Sequence, residues 1–168
     1  EARGFLSPSV LFMNGEYVMW MVEYEDGKRS IARRTSADGL NWSKPEKTPI
    51  ERFQAYCQAP WHLDVIPDPA HGDLILVLTT AKDRGFEAEL FYGFSGDWGR
   101  SWQVVGKLLE PGYFFERKRV YRSSIAIRGD EYFLFYSAMS DDGTWSVARI
   151  GLERTGLRLE TPPGALAG

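Results

Sequence analysis

Apolar residues in this chain fall into short alternating or continuous runs bounded by Gly, Asn and Asp, and helical periodicity is nearly absent. That pattern predicts β-strands joined by tight turns. In a first unit, Ser9 to Met13 reaches Asn14-Gly15, a strong hairpin signal. Glu16 to Glu23 follows, with Tyr17, Met19 and Met21 alternating against Val18, Trp20 and Val22. After the Asp26-Gly27 turn, Lys28 to Thr35 reads as a third strand, and Trp42 opens a fourth that ends near Pro49. A second unit repeats the order: Asp64 to Pro67, the apolar run Asp73 to Thr80, a polar loop Lys82 to Glu87, Ala88 to Ser95, and Trp102 to Leu109. A third runs Ser123 to Ile127, Glu131 to Ala138, Thr144 to Gly151 and a short Leu157 to Glu160.

Aligning Ser9-Val10, Asp64-Val65 and Ser124-Ile125 gives spacings of 55 and 60 residues. Two units also share a tryptophan turn, Ser36-Ala37-Asp38-Gly39-Leu40-Asn41-Trp42 and Ser95-Gly96-Asp97-Trp98-Gly99-Arg100-Ser101-Trp102. Four short strands per repeat, closed by such a turn, describe a β-propeller. The predicted class is all-β: three four-stranded antiparallel blades over about 5–50, 58–110 and 119–161. In the turns, Asp and Ser accept backbone N–H bonds, Gly takes the positive-φ position, and Trp is expected to plug the space between sheets. Closed propellers have four to eight blades, so three leave two bare faces. Glu1 is not an initiating methionine, and the expectation is a piece of a longer polypeptide, with further blades from that chain or another.

At 168 residues the chain can bury a sizeable core. A net charge of −3 argues against nucleic acid, and the one basic cluster, Arg117-Lys118-Arg119, reads as a solvated loop. Cys57 is the only cysteine, which excludes an intrachain disulfide and paired-Cys metal motifs. No apolar stretch approaches the ~20 residues of a membrane helix. No cofactor is implied and no metal site is assigned. The Asp68, Asp141 and Asp142 turns offer oxygens to a structural calcium but lack the spaced ligand pattern of a dedicated site.

Several phrases carry a resemblance: Ser7-Pro8-Ser9-Val10, Tyr17-Val18-Met19-Trp20, Pro60-Trp61-His62-Leu63-Asp64-Val65, Tyr121-Arg122-Ser123-Ser124 and Phe135-Tyr136-Ser137-Ala138. With the first tryptophan turn, they resemble the last three blades of five-bladed furanosidase-type propellers, glycoside hydrolase families 43, 62 and 32. The Asp97 turn is similar to the Asp-box of sialidases. Sequences of this look also occur in bacterial secreted proteins and bacteriophage structural proteins, so a secreted or virion-associated location is expected. The resemblance implies an Asp base at the first blade, an Asp at the second and a Glu acid at the third. Here the matching strand starts carry Ser9, Asp64 and Ser124, so Asp64 is the one carboxylate candidate, and Glu116 lies upstream.

Glycoside hydrolysis needs two carboxyl groups facing one sugar. No pair is nominated by the sequence. Converging on the expected axis are Trp61, His62, Asp64, Tyr121 and Arg122, a mixture suited to sugar recognition by stacking and polar contacts. Each has a structural alternative: His62 as a loop-holding histidine, and Asp64 with Arg122 as an ion pair locking blades. His71 sits in a turn and is expected in solvent. Two functions remain open at this level. One is a glycan-binding or glycoside-hydrolase-like propeller acting on furanoside or cell-surface carbohydrate. The other is a non-catalytic structural or adhesion module, such as a phage particle component, with self-assembly.

Overall fold

The computed structural model describes residues 3–51, 59–81, 88–112 and 115–160; Cys57 and the polar loop 82–87 lie outside them. The described residues form strands and turns with no helix, as the sequence predicts. The first sheet has the order β1 (Arg3–Met13), β2 (Glu16–Glu25), β3 (Lys28–Ser36), β4 (Glu46–Lys47). The middle sheet runs β6 (Ala59–Asp68), β7 (Asp73–Ala81), β8 (Ala88–Ser95), β9 (Trp102–Leu109), with β5 (Ile50–Glu51) added outside β9. The third is β10 (Arg119–Arg128), β11 (Glu131–Met139), β12 (Trp145–Thr155), β13 (Arg158–Glu160). Apart from β5 each is a meander, and β1, β6 and β10 lie innermost, with β6 packed against both of the others. Asn14-Gly15 and Asp26-Gly27 take positive φ at both positions, the signature of the hairpin turns their sequences predict.

Two expectations need correction. The fourth strand of the first blade is only Glu46–Lys47, because Trp42 stays within its own turn, where its Nε1 donates to Gly39 O at 3.1 Å. The chain then crosses to the middle blade, where Ile50 and Glu51 pair in parallel with Trp102 and Gln103 and make that sheet five-stranded. The plug between the first two blades is therefore not Trp42. It is Trp20 of β2, fully buried, with its ring centroid 6.1 Å from that of Trp102 and its Nε1 donating to Gly99 O at 2.8 Å.

Burial explains why the strands read so differently. The middle blade is covered on both faces: Leu74, Leu76 and Leu78 of β7 pack with Val18, Trp20 and Ile31 of the first blade. Ile75 and Val77 face Leu134, Tyr136 and Ile150 of the third. Hence β7 is a continuous apolar run and β8 is buried at every position, whereas β10 and β12 alternate and keep one face outward. The outward faces still carry large apolar groups, Val10 and Phe12 on the first blade, Phe135 and Val147 on the third.

A polar lock adds to these cores. Arg154 of β12 reaches across to the β6–β7 turn, bonding Asp68 and pairing with both oxygens of Asp73 at 3.0 and 2.6 Å, while stacking over Phe94. Asp68 also accepts from Tyr132 O–H at 2.8 Å and contacts His71 at 3.2 Å. Burial works to raise the Asp68 carboxyl, but the bonds from Tyr132, His71 and Arg154 outweigh it and hold it below its usual range. The same carboxylate, with burial acting first, pushes Tyr132 up to about 12. Asp68 is thus committed to a blade–blade contact rather than to solvent or an ion.

Candidate functional site

Each innermost strand carries a β-bulge near its start. The register slips between Leu6 and Ser9 in β1, between Pro60 and His62 in β6, and between Tyr121 and Ser123 in β10. A bulge leaves a residue without a cross-strand partner and re-aims side chains, here at one end of the axis. Ser7 and Arg122, which occupy matching repeat positions, both hold positive φ, +50° and +27°. For non-glycine residues this costs roughly 1–3 kcal/mol, a strain that collects where side chains must be aimed. Proline cannot donate to the ladder within a strand, and Pro8 and Pro60 fall at two of the bulges. The bulge at Arg122 has no proline.

The bulges bring four of the five anticipated residues into one cluster. His62 is buried, and its two ring nitrogens meet Ser7 Oγ of the first blade and Tyr121 OH of the third. One histidine therefore links all three innermost strands. Its ring stacks on Trp61 at 5.9 Å and meets Tyr121 edge-on at 4.9 Å. Tyr121 touches Trp61 at 6.0 Å and, on its other side, Trp145 at 6.0 Å. Arg122 lies over the Tyr121 ring at 5.9 Å, and Arg29 over Trp61 at 5.2 Å. A groove of about 380 Å³ opens beside Tyr121, Arg122, Trp145 and Val147.

Asp64 stands apart. Its Oδ1 accepts from Ser9 Oγ at 2.8 Å and from Val65 N–H at 3.0 Å, so it stitches β6 to β1. The ion pair with Arg122 is not formed. Sequence reasoning missed Ser7, Arg29 and Trp145; Ser7 lies in a phrase that carries the resemblance, whereas Arg29 and Trp145 lie outside those phrases. Arg29 follows the Asp26-Gly27 turn and Trp145 the Asp142-Gly143 turn, both at the same end of their sheets as the bulges. Only the folded hairpins show that these positions face the mouth.

Desolvation, followed by the charges of Arg122 and Arg29, lowers the His62 pKa from 6.5 to about 4. The imidazole is neutral at pH 7, as a ring donating one bond and accepting another requires. Unfolding frees it to take up a proton. Stability from this site is complete above about pH 6.5 and declines as pH falls towards 4, by up to about 3 kcal/mol. The expected result is a denaturant midpoint that drops between pH 6.5 and 4.5 in the native protein and much less in His62→Asn. Parallel curves for the two would exclude this titration.

Glu116 is fully buried just before β10. Tyr136 O–H donates to its Oε2, and its Oε1 has no hydrogen-bond partner. Burial pushes this carboxyl up despite the Tyr136 bond. Among the described residues no group of three or more metal-binding side chains comes together.

No family model and no curated protein matches the sequence. Solved structures do match the fold. An N-acetylgalactosamine deacetylase from F. plautii, in complex with blood group B trisaccharide, superposes with TM-score 0.71 at 21% identity, over 86% of this chain and 49% of that one. A family 117 glycoside hydrolase from Zobellia galactanivorans gives TM-score 0.74 at 15% identity, over 96% and 56%. A β-1,2-mannobiose phosphorylase from Listeria innocua gives 0.66 at 14% identity, over 89% and 41%. The chain spans about half the length of these proteins. What it shares with them is their architecture, the propeller-like fold of glycoside hydrolases.

Proposed function

We propose that this chain is the carbohydrate-recognising portion of a glycosidase-like propeller, acting on furanoside or cell-surface glycan. The observation that carries the reading is the aromatic and arginine cluster at the bulged ends of the innermost strands, Trp61, Tyr121 and Arg122, braced from behind by His62. Aromatic faces receive the C–H groups of a sugar, and guanidinium donors bond its oxygens. The neighbours named as acting on or binding carbohydrate support it. Asp64 is the one carboxylate among the matching strand positions, where Ser9 and Ser124 stand in the other two blades, so turnover would need a second acid from elsewhere. That shortage keeps a second reading, a binding or adhesion module without turnover, such as a phage particle component.

The same proposal includes further blades, from this polypeptide or another chain, or a self-assembled ring. Apolar groups on both outer faces and the half-length match to the solved structures support it. The test is binding of the full-length protein to an immobilised glycan panel that includes arabinan. Trp61→Ala is expected to weaken binding roughly tenfold, the loss of one stacked aromatic ring. Retained affinity in that variant, with an unchanged melting temperature, would remove the site. Release of reducing sugar from the bound glycan separates the hydrolase from the adhesion reading.

A further inference from the structure

The mouth of the axis has the wrong sign for the rest of the protein. The chain carries a net charge of −3, yet the groups that flank His62 are two guanidiniums, Arg29 from the first blade and Arg122 from the third. Neither pairs with a carboxylate among the described residues. The acid nearest in sequence, Asp64, is turned to Ser9 and the Val65 amide. Their joint field is felt at the imidazole between them, where both act against protonation.

Arginines held over aromatic faces with no carboxylate partner among the described residues keep their donor forks available to an incoming anion. An ion pair would stabilise them, and neighbouring cations repel. Arg122 also sits on a strained backbone, φ +27°, at the bulge that re-aims it. Guanidinium presents a planar fork that fits a carboxylate or sulfate bidentately, and the Trp61–Tyr121–Trp145 cluster beside the two forks walls the groove for a pyranose or furanose. We propose that this site takes an anionic sugar residue, its carboxylate or sulfate held by Arg29 and Arg122 and its ring packed against the aromatic cluster of Trp61, Tyr121 and Trp145. The proposal rests on the carbohydrate reading above and names its ligand class.

Binding of the full-length protein to oligosaccharides of matched length supplies the test: oligogalacturonate, a sulfated galactan fragment and neutral oligogalactan, by calorimetry at low and at 0.5 M salt. Inorganic phosphate serves as a bare-anion probe. At least one charged oligosaccharide is expected to bind ten times tighter than the neutral one at low salt. The two charged arms tell carboxylate from sulfate. Arg29→Gln and Arg122→Gln are each expected to shrink that preference to within about threefold. Both guanidiniums reach solvent, so melting temperatures should hold within a degree or two, which separates lost binding from lost folding. Ligand should also raise the His62 pKa from about 4, read by NMR of the imidazole.

Neutral and charged sugars binding equally would overturn the ligand class and leave the carbohydrate reading intact. Failure of every saccharide would overturn both. Phosphate binding as tightly as the charged sugars, with no effect of Trp61→Ala on either, would also overturn the proposal, because the rings would then take no part.

Discussion

Gly99→Ala is expected to lower stability by about 3 kcal/mol or more, combining left-handed backbone strain with overpacking of a closed site. Gly99 holds φ +71°, and a Cβ there would stand 2.3 Å from Trp20 Cζ2 and 2.6 Å from its Nε1. Trp20 is fully buried, and its indole N–H is already spent on Gly99 O, so neither partner can withdraw without losing that bond. The first tryptophan turn supplies an internal control. Gly39 has φ +74°, but its added Cβ would meet the Tyr17 ring at an ordinary 3.5 Å. Gly39→Ala should therefore cost only the backbone strain, about 1 kcal/mol. Thermal melting distinguishes them, with a drop of roughly 10 °C against a few degrees. Equal melting points for the two variants would mean that Gly99 and Trp20 do not lock the first blade to the second.

Arg154→Met should cost a further class of energy, about 3–5 kcal/mol, because removing one partner of a buried ion pair strands the other. Asp68 has a fully buried side chain, and its Oδ1 already lacks a partner. Without Arg154 it keeps only Tyr132 and His71. In the native protein the Asp68 carboxyl lies below 3.8, so its contribution is present above that pH and is lost as pH falls further. In the variant the carboxyl is driven upward by uncompensated burial, and protonation relieves it. The deficit against native protein should be greatest near neutrality and shrink as acid protonates the stranded carboxylate. Adding Asp68→Asn to Arg154→Met should recover part of the loss. A deficit that does not vary with pH would point to lost packing over Phe94 instead.

The architecture was legible because its determinants are local. Asn14-Gly15 and Asp26-Gly27 fix their hairpins by backbone geometry, and a period-two pattern marks each half-buried strand. The two tryptophan turns close as read, with Asp97 Oδ1 accepting from Arg100 and Ser101 N–H, and Asp38 Oδ1 from Leu40 and Asn41 N–H. Which tryptophan fills the space between sheets was not legible. Trp42 and Trp102 hold matching positions, yet only Trp102 is enclosed, since β5 draws the chain off the first blade before Trp42 is covered. The candidate site was half legible. Trp61, His62, Tyr121 and Arg122 sit on innermost strands, so the repeat alignment located them. Arg29 and Trp145 come from hairpin ends and Ser7 from a bulge. Their convergence depends on register slips that leave no mark in hydropathy.

The short β4 and β5 have a consequence for how copies of this chain can associate. Glu46–Lys47, with Thr48 N–H on Ile31 O and Ser43 N–H on Thr35 O, occupies the outer flank of β3. Ile50–Glu51, with Trp102 N–H on Pro49 O, does the same at the start of β9. Along residues 31–35 of β3 and at the first two residues of β9, little backbone is thus free for an incoming strand to template upon. Growth by edge-to-edge stacking, which has no natural end, is discouraged there.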